Sequence, residues 1–185
     1  MPRKPRAECE PGIHHVTARG NRKQQIFVDD QDRHRYLTLL GRVTGRSAWH
    51  CLAFCLMGNH VHLLIETTHP NLGEGMHWLQ GVYAQAFNRR HALTGHLFQD
   101  RFHARPVRGD AHLWLTAAYI ANNPVAAQLC TAPAEWPWGS YAAIRSRRPP
   151  VWLDVERLAS YFGAAGGNGL RRFIDFVELK GDSPL

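Results

Sequence analysis

The chain has 185 residues, of which 44% are hydrophobic, 20% charged and 10% aromatic, a mixture that excludes disordered and fibrous classes and fits one globular domain. Lys and Arg number 22 against 15 Asp and Glu, a net charge of +7 with 12 histidines besides, so a polyanion is the first partner to consider. At this length a core forms without disulfide or metal staples, and no apolar run approaches the roughly 18–20 residues of a membrane span.

The first twelve residues, MPRKPRAECEPG, carry Arg3, Lys4, Arg6 and three prolines. They read as a mobile basic arm (residues 1–12) and lack the apolar segment of a secretion signal. Cys9, Cys51, Cys55 and Cys130 show no paired zinc-module spacing and read as reduced thiols, so the expected location is cytoplasmic, nucleoid-associated when bound to DNA. Cys51 and Cys55 fall at the same parity of the apolar run WHCLAFCLM, as small buried hydrophobes.

From Ile13, HHVTARGN predicts a short strand ending in a Gly20-Asn21 turn. Asp29 and Asp30 then offer caps for a helix carrying Tyr36, Leu39, Leu40 and Val43 at helical spacing. Residues 48–57 and 61–66 are two strand-like runs around Gly58-Asn59, the pattern of an antiparallel hairpin. A second helix covers 71–91, and Phe102–Val107 gives a further strand that Pro106 confines to an edge or an end. A third helix begins at the capping residue Asp110 and is expected to stop at Pro124.

The resulting order, β-α-β-β-α-β-α, predicts an α+β fold: a ferredoxin-like (RRM-like) antiparallel sheet with helices on one face and a small C-terminal helical extension. The body of the fold is expected over 13–143, with WPWGSYAAI packed on it. The basic linker RSRRPP and one or two small helices interrupted by GAAGGNG follow in 144–185.

Two features carry chemistry. In His60-Val61-His62 the alternation of a strand puts both imidazoles on one face, with Cα atoms about 6.6–6.8 Å apart, close enough to share an ion. Val61, Leu63 and Ile65 take the opposite, core-facing parity. On the third helix Tyr119 and Asn123 lie four residues apart on one face, while Leu113, Thr116, Ala117 and Ile120 form the apolar one. If that helix faces the histidines, Asn123 can add an oxygen ligand and Tyr119 a nucleophile. Read alone, each feature also fits a plain structural role: two histidines on a half-exposed strand, and a packed tyrosine before a helix-ending Asn-Pro. Glu66 shares the parity of the histidines but reads as a solvated carboxylate, outside the site.

MGNHVHLLIE, GHLFQDRF and YIANNPVAA, in that order and spacing, resemble the HUH single-strand DNA transposases with one catalytic tyrosine, and within that group most of all the REP-associated tyrosine transposases. The resemblance runs from Ile13 to Ala143, and VWLDVERLASYFG is similar to their C-terminal extension. It implies that His60 and His62 bind a divalent ion, Mg²⁺ or Mn²⁺, that Tyr119 is the nucleophile, and that Asn123 completes the metal shell. It further implies a 5′-phosphotyrosine intermediate formed at hairpin-flanking sites of repeat DNA. Gly58 stands where relatives commonly have proline, a departure in the turn and not in a ligand.

A cation-rich segment, Arg89, Arg90, Arg101, Arg105 and Arg108 with interleaved histidines and phenylalanines, has the composition of a groove for single-stranded DNA. Phe98 and Phe102 fit either stacked bases or the core. Arg19, Arg22 and Lys23 around the first turn make a second positive loop. The expected partner is single-stranded or hairpin DNA, with monomer and homodimer both open. Two competing functions share the scaffold: a non-catalytic regulator that binds hairpins or repeats, and a metallo-phosphodiesterase that hydrolyses without a tyrosine.

Overall fold

A computed structural model gives the architecture and describes residues 9–163 and 167–181. Most of the expected basic arm (residues 1–8) and part of the glycine-rich stretch (residues 164–166) lie outside the described residues. The chain runs β1 (Gly12–Arg19), α1 (Asp30–Arg46), β2 (Trp49–Leu56), β3 (His60–Thr67), α2 (Leu72–Arg90), β4 (His103–Pro106) and α3 (Asp110–Ala126). Three short helices follow: α4 (Ser140–Arg145), α5 (Val155–Ser160) and α6 (Gly169–Gly181).

The four strands form one antiparallel sheet in the order β2-β3-β1-β4, which is the ferredoxin-like arrangement. The β2–β3 hairpin turns at Gly58-Asn59, where the Met57 amide donates to the His60 carbonyl at 2.9 Å. The short β4 is an edge strand that pairs with β1 and ends at Pro106, the residue that cannot donate to a further ladder. The opposite edge, β2, is covered by later chain. Leu56 N–H donates to the Trp138 carbonyl (2.9 Å), Phe54 N–H to Ser140 Oγ (3.0 Å), and Asp154 N–H to the Cys51 carbonyl (2.9 Å). WPWGSY thus satisfies backbone groups that an open edge would leave to solvent or to another chain.

The two faces of the sheet carry different layers. Val16, Val61, Leu63 and Ile65 face α1 and α2, whose Tyr36, Leu39, Leu40, Val43, Leu79 and Tyr83 complete a dry core. Capping of α1 follows the sequence: the Asp29 carboxylate accepts from Asp32 N–H at 3.2 Å. Over the other face lie α3, α5 and α6, so the third helix does not share the side of the first two. Asn122 ties α3 to α6 by donating to the carbonyls of Ala118 and Val177, both at 3.1 Å.

Three local expectations need correction. Pro124 does not end α3. It sits in the last turn, where its missing N–H forfeits a single bond, and the helix runs on to Ala126. Asp110 is not the cap but the first helical residue; Gly109, at φ 73°, precedes it, and the carboxylate of Asp110 meets the positive end of the helix dipole. Finally, Cys51 and Cys55 do not share a face. Cys51 pairs with Ile65 and Ala53 with Leu64, so Leu52 is an extra, bulged residue that reverses the alternation. Cys51 therefore lies beside Tyr36 on the α1 side, and Cys55 opposite His62 on the other.

Candidate active site

The register of the sheet assembles the site. Arg19 pairs with His60 and Thr17 with His62, while His15 sits one step along the same face of β1, opposite Leu64. From above, α3 brings Tyr119 and Asn123 down onto this patch. The Tyr119 ring meets His62 edge-on at 5.4 Å and His15 edge-on at 5.9 Å, within one chain. Asn123, 9% exposed, stands beside His60, near enough to favour its protonated form. His60, His62, Tyr119 and Asn123, singled out by spacing and given their roles by the family resemblance, are thus brought together.

Each histidine is held through its Nδ1. Asn59 Nδ2 donates to the Lys23 carbonyl at 3.0 Å, which turns its Oδ1 toward His60 Nδ1 at 2.7 Å. His60 Nδ1 is therefore the donor, and its lone pair lies on Nε2. His62 Nδ1 meets His15 Nε2 at 2.9 Å, the two rings stacking at 5.2 Å. His62 is 5% exposed, and its Nε2 meets no hydrogen-bond partner among the described residues.

Charge on these rings is disfavoured. Burial, then the positive charges of His60 and His15, lower His62 to about 3. His15 falls to about 4 through burial, with Arg105 and His112 adding repulsion. His60 is lowered by burial and by Arg19, against the opposing influence of the Asn123 side chain, which favours the protonated ring. All three are neutral at pH 7, the form in which imidazole ligates a metal.

No group of three or more His, Cys, Asp or Glu in metal-binding arrangement occurs among the described residues. A shell of two imidazoles and an amide oxygen is a different donor set, and it suits a hard or borderline ion that keeps several waters. The residues fit such an ion: His62 offers a buried, unpartnered nitrogen, and Asn123 stands beside His60.

Beside the histidines opens a cleft of about 480 Å³, lined by His60, His62, His103 and Tyr119 and by the cations Arg19, Lys23 and Arg101. Tyr119 is 38% exposed there. The cleft wall is built from two distant segments: Asn21 N–H donates to the Leu97 carbonyl at 2.8 Å and Gln99 N–H to the Arg19 carbonyl at 2.9 Å. These bonds dock GHLFQDRF onto the first turn. Gly20 makes the turn possible, because a Cβ there would stand 2.1 Å from the Gln24 carbonyl oxygen.

The remaining predicted cations divide. Arg22 is exposed in the same turn, and Arg105 projects beside His15 on the histidine face. Arg89 and Arg108 are exposed but outside the cleft lining. Arg90 is taken up elsewhere: it reaches Asp29 and Asp32 at 2.6 Å each, fastening the end of α2 to the start of α1. Phe102 is buried in the core and Phe98 packs against Tyr83 at 6.4 Å, so the core reading fits these rings better than stacked bases.

Glu66 is not solvated. Its carboxylate accepts from Arg157 Nη2 (2.6 Å) and Nε (3.0 Å) and from the Tyr161 hydroxyl (3.0 Å). Burial alone would raise its pKa, but Arg157 and Tyr161 outweigh burial and hold it below the ordinary value. His15 and Asn59 are the site residues that spacing did not reveal. The only signal for His15 is that HHVTARG, if a strand, carries His15, Thr17 and Arg19 at one parity.

Comparison with known proteins places this arrangement. Residues 11–123 match the family model "Transposase IS200 like". The fold is similar to that of a REP-associated tyrosine transposase bound to a REP hairpin, with a TM-score of 0.64 and 17% identity over 84% of this chain and 93% of that one. A candidate transposase from Deinococcus radiodurans R1 aligns with a TM-score of 0.43 and 18% identity over 65% of this chain and 96% of that one. No curated protein sequence matches the chain. Among the described residues no helix is long and apolar enough to cross a membrane.

Proposed function

The chain belongs to the IS200-like transposase family and is a DNA-cleaving transposase; from that premise we propose that it is a metal-dependent strand transferase for single-stranded or hairpin DNA, with Tyr119 as its nucleophile. The observation that carries the reading is the meeting of Tyr119 with His62, whose Nε2 is buried and unpartnered among the described residues.

His60, His62 and Asn123 would hold the ion, Mg²⁺ or Mn²⁺, which when bound would supply Lewis-acid activation of the scissile phosphate. Arg19, Lys23 and Arg101 bind phosphates of the strand lying in the cleft and fix its register against Tyr119. A phenol with a pKa near 10 is about a thousandfold short of full ionisation at pH 7, so attack requires a fixed, activated phosphorus. The Tyr119 oxygen bonds to phosphorus, the bond to O3′ breaks, and O3′ takes up a proton as the phenol loses its own to water in the open cleft. The products are a 5′-phosphotyrosine and a free 3′-OH. The linkage conserves the phosphodiester energy for rejoining, which hydrolysis would discard.

The ring of Tyr119 lies against histidines of its own chain, which supports attack in cis. The test is incubation of the protein with end-labelled hairpin oligonucleotides in Mn²⁺, Mg²⁺ or EDTA, followed by denaturing electrophoresis and peptide mass analysis. A metal-dependent adduct on the peptide containing Tyr119 is expected. Binding without an adduct would favour the regulator, and free cut ends without one would favour hydrolysis.

A further inference from the structure

The bond between His15 and His62 is ambiguous by itself, because either imidazole can donate at 2.9 Å. The two arrangements differ at the far side of His62. If His15 donated, His62 would carry its proton on Nε2, which has no partner among the described residues and, protonated, could not ligate a metal. If His15 accepts, His62 Nδ1 carries the proton and Nε2 presents a lone pair instead. Asn59 imposes this same arrangement on His60, and there the direction is fixed by the Asn59 amide and the Lys23 carbonyl.

We propose that His15 is a positioning residue that accepts a hydrogen bond from His62 Nδ1–H and so holds His62 in the tautomer whose Nε2 is ready for the divalent ion. The proposal rests on the metal reading of the preceding section and deepens it. The ring of His15 is restrained from two sides, by stacking on His62 at 5.2 Å and by the edge of Tyr119 at 5.9 Å. Its position on the strand beside the ligand strand fixes the bond without using a ligand position. Groups that orient metal-binding histidines in this way typically contribute about 10- to 100-fold in metal affinity.

The test is Mn²⁺ titration of the full chain, followed by electron paramagnetic resonance and calorimetry, on wild type, His15→Leu and His15→Gln. His15→Leu removes the acceptor and is expected to weaken Mn²⁺ binding by about 10- to 100-fold. His15→Gln places an amide oxygen near the same point and is expected to recover most of that loss. Folded His15→Leu that binds Mn²⁺ as tightly as wild type overturns the proposal, and so does His15→Gln as weak as His15→Leu. Long-range ¹H–¹⁵N NMR of the wild-type His62 ring needs no variant: Nδ1–H is expected, and Nε2–H overturns the proposal. A wild-type chain that takes up no Mn²⁺ sinks the metal reading itself, and this one with it.

Discussion

The two ends of β3 point side chains to the same face of the sheet and treat them in opposite ways. At one end Glu66 is closed off: Arg157 and Tyr161 of the C-terminal extension give its carboxylate three hydrogen bonds, and the neighbouring His50 pairs with Asp154 at 2.8 Å. At the other end His62, more deeply buried than Glu66, keeps a ring nitrogen unmet among the described residues and opens on a cleft walled by Arg19, Lys23 and Arg101. A buried charge that is fully paired reads as fastening, since unmet buried groups are costly and rarely retained without use. An unmet nitrogen at the mouth of a cationic cleft reads as a place kept for a ligand. Burial alone therefore does not separate structural from functional polar residues; Tyr36 and Asn122 also keep a buried polar atom unmet among the described residues, and it is the cationic cleft beside it that sets His62 apart.

The comparison can be broken most sharply at Tyr119. Tyr119→Phe should abolish the covalent adduct, a loss of at least about 10⁴-fold, while hairpin affinity measured by gel shift stays within a few-fold of wild type. Next, His62→Ala or chelation by EDTA should reduce cleavage by on the order of 10²–10³-fold in single-turnover assays with binding retained, because many phosphate contacts share the affinity. Loss of binding and cleavage together would contradict that division.

The histidine end should also show itself in stability. In the folded, metal-free chain His15 and His62 hold pKa values of about 4 and about 3, below the ordinary 6.5. Below about pH 6.5 the unfolded chain takes up protons that the folded chain refuses, so stability falls with pH until the folded values are reached. Guanidinium unfolding of metal-free protein at pH 7 and pH 5.5 should register a loss of about 1 kcal/mol or more, and His62→Gln should reduce it. Smaller still is Arg101→Ala, expected to weaken hairpin binding several-fold and lower the salt slope by about 1; an unchanged slope would remove Arg101 from the phosphate path. Smallest is Glu66→Gln at the closed end, expected to leave cleavage within about twofold and to lower stability by about 1 kcal/mol in thermal unfolding.

Much of this molecule is legible in its residues because two periodicities are local. Alternation along β3 puts His60 and His62 on one face, and a four-residue step puts Tyr119 and Asn123 on one side of α3. Turn and cap chemistry at Gly20, Asp29 and Gly58-Asn59 marks where elements change, and the element order alone is enough for the ferredoxin-like sheet. The bulge at Leu52 is invisible to alternation because β2 is buried on both faces, so its apolar run has no polar side to betray a reversal. Pro124 misled because its cost depends on where in the helix it falls, and in the last turn that cost is small.

What the sequence by itself determined is which side chains share a face and where each element begins and turns, since those follow from backbone geometry over a few residues. What only the tertiary structure decided is who meets whom across long stretches of chain. His15 reaches His62 because β1 pairs with β3 in one register, Arg90 is claimed by Asp29 and Asp32 because α2 ends beside the start of α1, and Glu66 is capped from α5, far along the chain. Hydrogen bonds and ion pairs act over a few ångströms, so their partners are fixed by the packed chain and are invisible to spacing along it.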